Sequence, residues 1–129
     1  MNALQKSVLI VEDEVLIAMG LSAQIEDMGL EVCGTADSAD EAVSQAHAHR
    51  PAVILMDVRL RGDKDGVDAA LAIHQTVGSR VIFITGSREQ AMIDRINLDH
   101  PFALLFKPIS DKQLQSVVGD AIRSSAGRA

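Results

Sequence analysis

At 129 residues, with 47% apolar and 23% charged side chains, the chain fits one globular domain able to bury a core. A net charge of −6, no basic block, no Trp or Tyr and only three Phe argue against nucleic acid as a partner, whether through phosphate contacts or base stacking. No apolar run reaches the roughly 20 residues of a membrane span, Met1 to Lys6 carries no signal-peptide apolar segment, and the lone Cys33 excludes an internal disulfide, so a cytoplasmic protein without membrane attachment is expected.

Ser7-Val8-Leu9-Ile10-Val11 is an apolar run without alternation that ends in Glu12-Asp13-Glu14. Such a run reads as a strand covered on both faces. From Leu16 to Met28 the apolar spacing turns helical, with Ile17, Leu21, Ile25 and Met28 on one stripe and Gly29 as a stop. A short strand follows over Glu31 to Ala36, where Cys33 is expected to be an inert buried thiol. Ser38 and Glu41 have capping-box spacing at the head of a second helix that reaches Arg50. Val53-Ile54-Leu55-Met56-Asp57 is a second buried run ending in a carboxylate, followed by a polar loop in which Asp65 is placed to cap a helix from about Gly66. That helix turns Val67, Ala70, Leu71 and His74 inward.

Arg80 to Ile84 is the fourth strand and stops at Thr85-Gly86. Ser87 with Gln90 suggests another capping box, opening a helix with Met92, Ile93 and Ile96 inward. Arg88 and Arg95 read as solvated charges on it. Phe102 to Phe106 is the fifth strand, closed by Lys107-Pro108, and Ser110 with Gln113 begins a last helix of clear 3.6-residue period. The tail from Ser124 to Ala129 is expected to fray. Five strands alternating with five helices imply an α/β, doubly wound (βα)5 parallel sheet of flavodoxin-like strand order 2-1-3-4-5.

Four strand ends then carry Glu12/Asp13, Asp57, Thr85 and Lys107, and in that order they converge at the carboxyl edge of the sheet, where open α/β folds bind ligands. Two carboxylates about 4 Å apart repel by roughly 4 kcal/mol at an effective dielectric near 20. A hard divalent cation relieves that repulsion, and an all-oxygen cluster with room for water favours Mg²⁺. Lysine, hydroxyl and cation around a carboxylate are the parts needed to place a phosphoryl group on Asp57 as an acyl phosphate.

Val11-Glu12-Asp13-Glu14, Met56-Asp57, Ile84-Thr85-Gly86 and Phe106-Lys107-Pro108 resemble, in order, spacing and strand context, the motifs of the response-regulator receiver domain of two-component signalling. The resemblance covers about residues 7–124 and implies a single receiver domain over 1–129 with no output domain. It implies Asp57 as phosphoacceptor, and Glu12, Asp13, Asp57 and the backbone carbonyl of Arg59 as Mg²⁺ ligands. Thr85 and Lys107 would contact the phosphoryl group. The donor would be a sensor histidine kinase or a histidine phosphotransfer protein, and the output a downstream protein bound at the face of helix four, strand five and helix five, by a monomer or weak dimer. The Lys107-Pro108 bond is expected to share the family's cis form. Phe83-Ile84-Thr85-Gly86 resembles the signature of the FAT GUY subgroup. Leu104 occupies the position where many receivers carry the aromatic of the switch, and Phe106 is expected to point away from Lys107.

Other readings of the same residues stay open at this point. A phosphatase of the haloacid dehalogenase type wants a second Asp two residues after the nucleophile, where this chain has Arg59. A flavodoxin-type FMN carrier wants a phosphate loop where this chain has three acids in a row. A degenerate receiver would bind a partner without phosphorylation.

Overall fold

The computed structural model describes residues 7–126. Ten elements alternate: β1 (Ser7–Val11), α1 (Val15–Asp27), β2 (Glu31–Ala36), α2 (Ala39–His49), β3 (Val53–Asp57), α3 (Gly66–Thr76), β4 (Arg80–Thr85), α4 (Gln90–Leu98), β5 (Ala103–Phe106) and α5 (Asp111–Ala126). All strand pairs are parallel, in the order β2-β1-β3-β4-β5 that the alternation predicts. Residues 1–6, where no signal segment is expected, and 127–129 of the tail lie outside the described residues; α5 itself continues to Ala126 rather than fraying from Ser124.

The strand pleat divides the core in two. Leu9, Val11, Ile54, Met56, Val81 and Phe83 face α2, α3 and α4, which answer with Ala42, Ala46, Ala70, Ile73 and Ile96. Val8, Ile10, Val53, Leu55, Ile82 and Ile84 face α1 and α5, which answer with Ala18, Ile25, Leu114 and Val118. Alternate residues thus meet opposite helix layers, which is why β1, β3 and β4 are apolar without alternation.

Two inward assignments are corrected. Ile17 is 38% exposed and Leu71 50% exposed. In α1 the buried residues are Ala18 and Ile25, with Leu21 and Met28 packed against the same cluster, so Ile17 lies at the exposed margin of the stripe. In α3 the line runs through Val67, Ala70 and Ile73, leaving Leu71 on the far side and His74 half-buried, with its Nδ1 3.2 Å from Oδ1 of the buried Asp99. Cys33 is half-buried against the core; burial pushes its thiol up, in keeping with an inert side chain.

The helix starts differ in how they are capped. Ser38 Oγ accepts from the Glu41 N–H at 3.2 Å, while Glu41 reaches back to the Asp37 N–H, one residue beyond a capping box. Ser38→Ala is expected to lower stability by about 1 kcal/mol, read as a shifted urea midpoint at unchanged slope. Ser110 Oγ accepts from the Gln113 N–H at 3.1 Å. Asp65 caps α3 as expected, within a full reciprocal box closed by Asp68. Ser87 does not cap α4: the helix starts at Gln90 from Glu89, without a side-chain cap, because the Ser87 N–H and Oγ are both engaged in the preceding turn.

Candidate functional site

Strand register brings the four chemical ends together. Val11 pairs with Met56, Asp57 with Ile84 and Thr85 with Phe106, so β1, β3, β4 and β5 leave the sheet almost level with one another. A cavity of about 720 Å³ opens at that edge, lined by Glu12, Asp13, Asp57, Arg59, Thr85, Arg88 and Lys107 among others. Every residue singled out for site chemistry therefore reaches one place.

Glu12, Asp57 and Thr85 are buried there, whereas Arg59 is exposed at the lip and Asp13 is half-buried. Carboxylate oxygens of Glu12, Asp13 and Asp57 lie within 4.8 Å of one another. At that separation each ionised pair repels by about 3 kcal/mol at an effective dielectric near 20. Lys107 answers part of this: its Nζ donates to Asp57 Oδ2 at 3.2 Å and stands 3.5 Å from Glu12 Oε1. Burial works against the charged ammonium, yet Asp57 and Glu12 together carry Lys107 above the usual lysine range. Burial pushes the Glu12 carboxyl up to about 7; the Glu14 N–H opposes this, Asp57 adds to it, and Lys107 does not fully offset it. Glu14 contributes that backbone N–H, 3.1 Å from Glu12 Oε2, and not its own carboxylate.

One lysine facing three acids leaves an excess of negative charge among oxygen donors only. That donor set suits a small hard divalent cation and offers nothing to a soft metal. The other side of the cavity supplies donors and room. The Thr85 hydroxyl sits at the end of β4, its Oγ1 accepting from the Ser87 N–H at 3.0 Å. The Lys107 N–H donates to the Thr85 carbonyl at 2.8 Å, fixing β5 against β4 at the point where the lysine departs. The Lys107-Pro108 bond is cis.

Three contacts near the site have no counterpart in the sequence reading. Arg88 lies over the Phe106 ring at 4.3 Å, so that ring is covered by a cation. Arg95 is not a solvated charge: it is bound to Asp65 and Asp68. Gly66 lies so close to the Asp57 backbone that a Cβ there would collide with the Asp57 carbonyl oxygen. The Asp65/Asp68 spacing is a visible capping signal, but no local pattern joins either residue to Arg95 about thirty positions away.

The parallel sheet of order 2-1-3-4-5 with an acid-lined carboxyl edge defines the class, and comparison with known proteins agrees. The chain matches the response regulator receiver domain over residues 8–119, and it belongs to that family. It is 34% identical over 112 residues to the transcriptional regulatory protein PdtaR of Mycobacterium tuberculosis (strain H37Rv), covering 87% of this chain and 54% of that protein. It is 36% identical over 116 residues to the phyllosphere-induced regulator PhyR of Methylorubrum extorquens (strain AM1), covering 89% of this chain and 43% of that one. The chain thus spans about half the length of the curated relatives it matches. Among solved structures, the signal receiver domain of a modulated diguanylate cyclase from Desulfovibrio desulfuricans G20 aligns with a TM-score of 0.86 at 36% identity, covering 93% of this chain and 95% of that one. Receiver domains bind Mg²⁺ at an acidic pocket, interact with histidine kinases or phosphotransfer proteins, and are generally not turnover enzymes. Among the described residues no helix is long and apolar enough to cross a membrane.

Proposed function

We propose that Asp57 accepts a phosphoryl group from a phosphohistidine on a sensor kinase or phosphotransfer protein, and that the resulting acyl phosphate controls binding to a downstream protein or passes the group on. The observation that supports this reading best is the placement of Lys107. Its ammonium bridges Asp57 and Glu12, within a set of carboxylate oxygens that has more negative charge than one lysine can balance.

In the forward step a carboxylate oxygen of Asp57 attacks phosphorus. The P–N bond of the donor breaks, its electron pair stays on the imidazole nitrogen, and that nitrogen takes up a proton. Lys107 exchanges its bond to Asp57 Oδ2 for one to a phosphoryl oxygen, and Thr85 donates its hydroxyl hydrogen to another. Glu12, Asp13, Asp57 and the Arg59 carbonyl would hold Mg²⁺, which when bound neutralises charge on the transferring group. In the return step water attacks phosphorus, inorganic phosphate leaves, and the Asp57 carboxylate is restored. Exposed Val15, Leu16 and Met19 on the first turns of α1, beside the acid cluster, give a protein donor apolar surface to meet. Output through α4, β5 and α5 remains the reading for the downstream partner.

Intact mass after incubation with acetyl phosphate and Mg²⁺ tests this. The expected result is one added phosphoryl group, lost when EDTA withdraws the metal. An unlabelled protein beside a labelled control receiver would overturn the reading in favour of phosphorylation-independent binding. Free phosphate released over many turnovers would instead identify a phosphatase.

A further inference from the structure

The loop that leaves Asp57 carries one of the groups proposed to hold the cation, the Arg59 carbonyl. Asp57 ends β3 and Glu12 follows β1 directly, whereas Arg59 lies out on the connection to α3. The base of that connection is closed by the Gly66 N–H, which donates to the Val58 carbonyl at 2.8 Å, and Leu60 packs against the core. Beyond Leu60 the chain runs exposed from Arg61 to Lys64. Something outside the loop has to hold its far side.

The junction between β2 and α2 does so. The Ala36 carbonyl accepts from the Glu12 N–H at 2.9 Å, and the next carbonyl, that of Asp37, accepts from the Arg61 N–H at 3.2 Å. Ser38 and Arg61 pair in parallel as a single rung of sheet outside the strands. Two consecutive peptide units therefore hold both the exit of β1, where Glu12 stands, and the loop of Arg59. These units are fixed in turn by the head of α2. The Asp37 N–H donates to Glu41 Oε1 at 2.9 Å, and the Glu41 N–H donates to Ser38 Oγ at 3.2 Å. Side-chain pairs also join the two loops, Arg61 with Asp37 at 3.8 Å and Lys64 with Asp40 at 3.6 Å, but they are exposed and add little. The support is made by the backbone.

We infer that the β2–α2 junction is a positioning element of the metal site: by holding Arg61 it sets where the Arg59 carbonyl stands, and so selects Mg²⁺ over Ca²⁺. The inference rests on Glu12, Asp13, Asp57 and the Arg59 carbonyl being the ligands. Selection follows from ion size. Mg²⁺ demands near-octahedral oxygens at about 2.0–2.1 Å, whereas Ca²⁺ accepts a looser shell at about 2.3–2.6 Å. A carbonyl free to wander costs the smaller ion more. Ser38 and Glu41 have capping spacing, and their side chains lock the head of α2; the carbonyl beside them is put to a second use by the site.

Amide chemical shifts of the full chain, titrated with Mg²⁺ or with Ca²⁺, give both dissociation constants and report the fold in the same spectra. Arg61→Pro, which deletes the bridging N–H, is expected to weaken Mg²⁺ about tenfold and Ca²⁺ no more than about threefold. Arg61→Ala keeps that N–H and loses only the exposed ion pair, so both constants should stay within about twofold of wild type. Should Arg61→Pro fail to fold, Glu41→Ala decides: it frees the Asp37 N–H and should weaken Mg²⁺ selectively in the same sense. Glu41→Gln loses the charge but keeps an acceptor for that N–H, and should restore the wild-type ratio. A Mg²⁺/Ca²⁺ ratio unmoved in Arg61→Pro and Glu41→Ala would overturn the inference. Equal weakening of the two cations would overturn it too, as the mark of general loosening, and so would equal effects of Glu41→Ala and Glu41→Gln, as the mark of lost charge. A wild type whose amides around Glu12, Asp57 and Arg59 do not respond to Mg²⁺ would overturn the ligand assignment itself, a result distinct from an unmoved ratio in a protein that binds.

Discussion

Asp57→Asn is expected to abolish phosphoryl uptake completely while leaving the fold intact. The amide has nearly the shape of the carboxylate, so it fits the same buried end of β3, and its carbonyl oxygen can still accept from Lys107 at the position where Asp57 Oδ2 now lies 3.2 Å away. What it lacks is the nucleophile, since an amide oxygen does not displace imidazole or acetate from phosphorus. Glu12 and Asp13 are close enough to the same cavity to be substitutes in principle. Geometry argues against them: Lys107 donates its hydrogen bond to Asp57, and Asp57 ends the strand that pairs directly with the Thr85 strand, whereas Glu12 and Asp13 follow β1, which does not. Intact mass decides the matter. The variant should gain nothing from acetyl phosphate and Mg²⁺, and an adduct at the wild-type level would move the acceptor to Glu12 or Asp13. The same substitution removes one of the three carboxylates proposed to hold the metal. The Mg²⁺-induced rise in melting temperature should therefore shrink, reflecting a roughly tenfold or greater loss of affinity, about 1.4 kcal/mol or more.

The same residues show why some of this is readable from the chain and some is not. β1, β3 and β4 are plain because strands covered on both faces must be apolar throughout, and such runs stand out against polar loops. Their order then follows from βα alternation, and with it the meeting of Glu12, Asp13, Asp57, Thr85 and Lys107, since a parallel sheet sends all its carboxyl ends to one edge. The cap at Asp65 is equally local. Ser87 has the right spacing to Gln90 for a capping box, yet its N–H is held by the Thr85 hydroxyl and its own hydroxyl by the Glu89 N–H, so α4 begins without it. The competing acceptor is a site residue, and the local rule gives way there. Ile17 and Leu71 depart from expectation for a different reason. Both sit at the margin of a wide apolar stripe, and which margin is buried depends on how the helix lies against the sheet. Arg95 is out of reach of any local pattern, because its partners are on another helix and nothing but the folded chain puts them together.

Without divalent metal the protein is expected to lose stability as pH rises from about 4.5 to about 7, and Mg²⁺ is expected to restore it most strongly at the alkaline end. Buried Glu12 holds its proton in the folded state up to about 7, against 4.5 for an ordinary glutamate. Within that window the folded chain binds a proton that the unfolded chain has given up. The stabilising contribution is therefore fully present below about 4.5, declines through the window, and is absent above 7. A shift of this size corresponds to on the order of 3 kcal/mol, or about 10–15 °C in melting temperature for a domain of this length. The other displaced groups do not mask it. Asp65, whose partial burial is outweighed by the Arg95 guanidinium, is held low and affects stability only at acid pH below its ordinary range. Lys107, held high by Asp57 and Glu12 in spite of burial, matters only above the usual lysine range. A bound Mg²⁺ needs the Glu12 carboxylate ionised, so below about 7 binding must expel a proton and affinity should fall by up to about tenfold per pH unit. Melting curves at about pH 5.5 and about pH 8, with and without Mg²⁺, read both effects together. The metal-free melting temperature should be lower at the alkaline pH, and the increment produced by Mg²⁺ larger. Glu12→Gln should flatten the metal-free profile and take most of the increment with it. An equal Mg²⁺ increment at the two pH values would mean that Glu12 is already ionised without metal and that Lys107 alone balances the cluster.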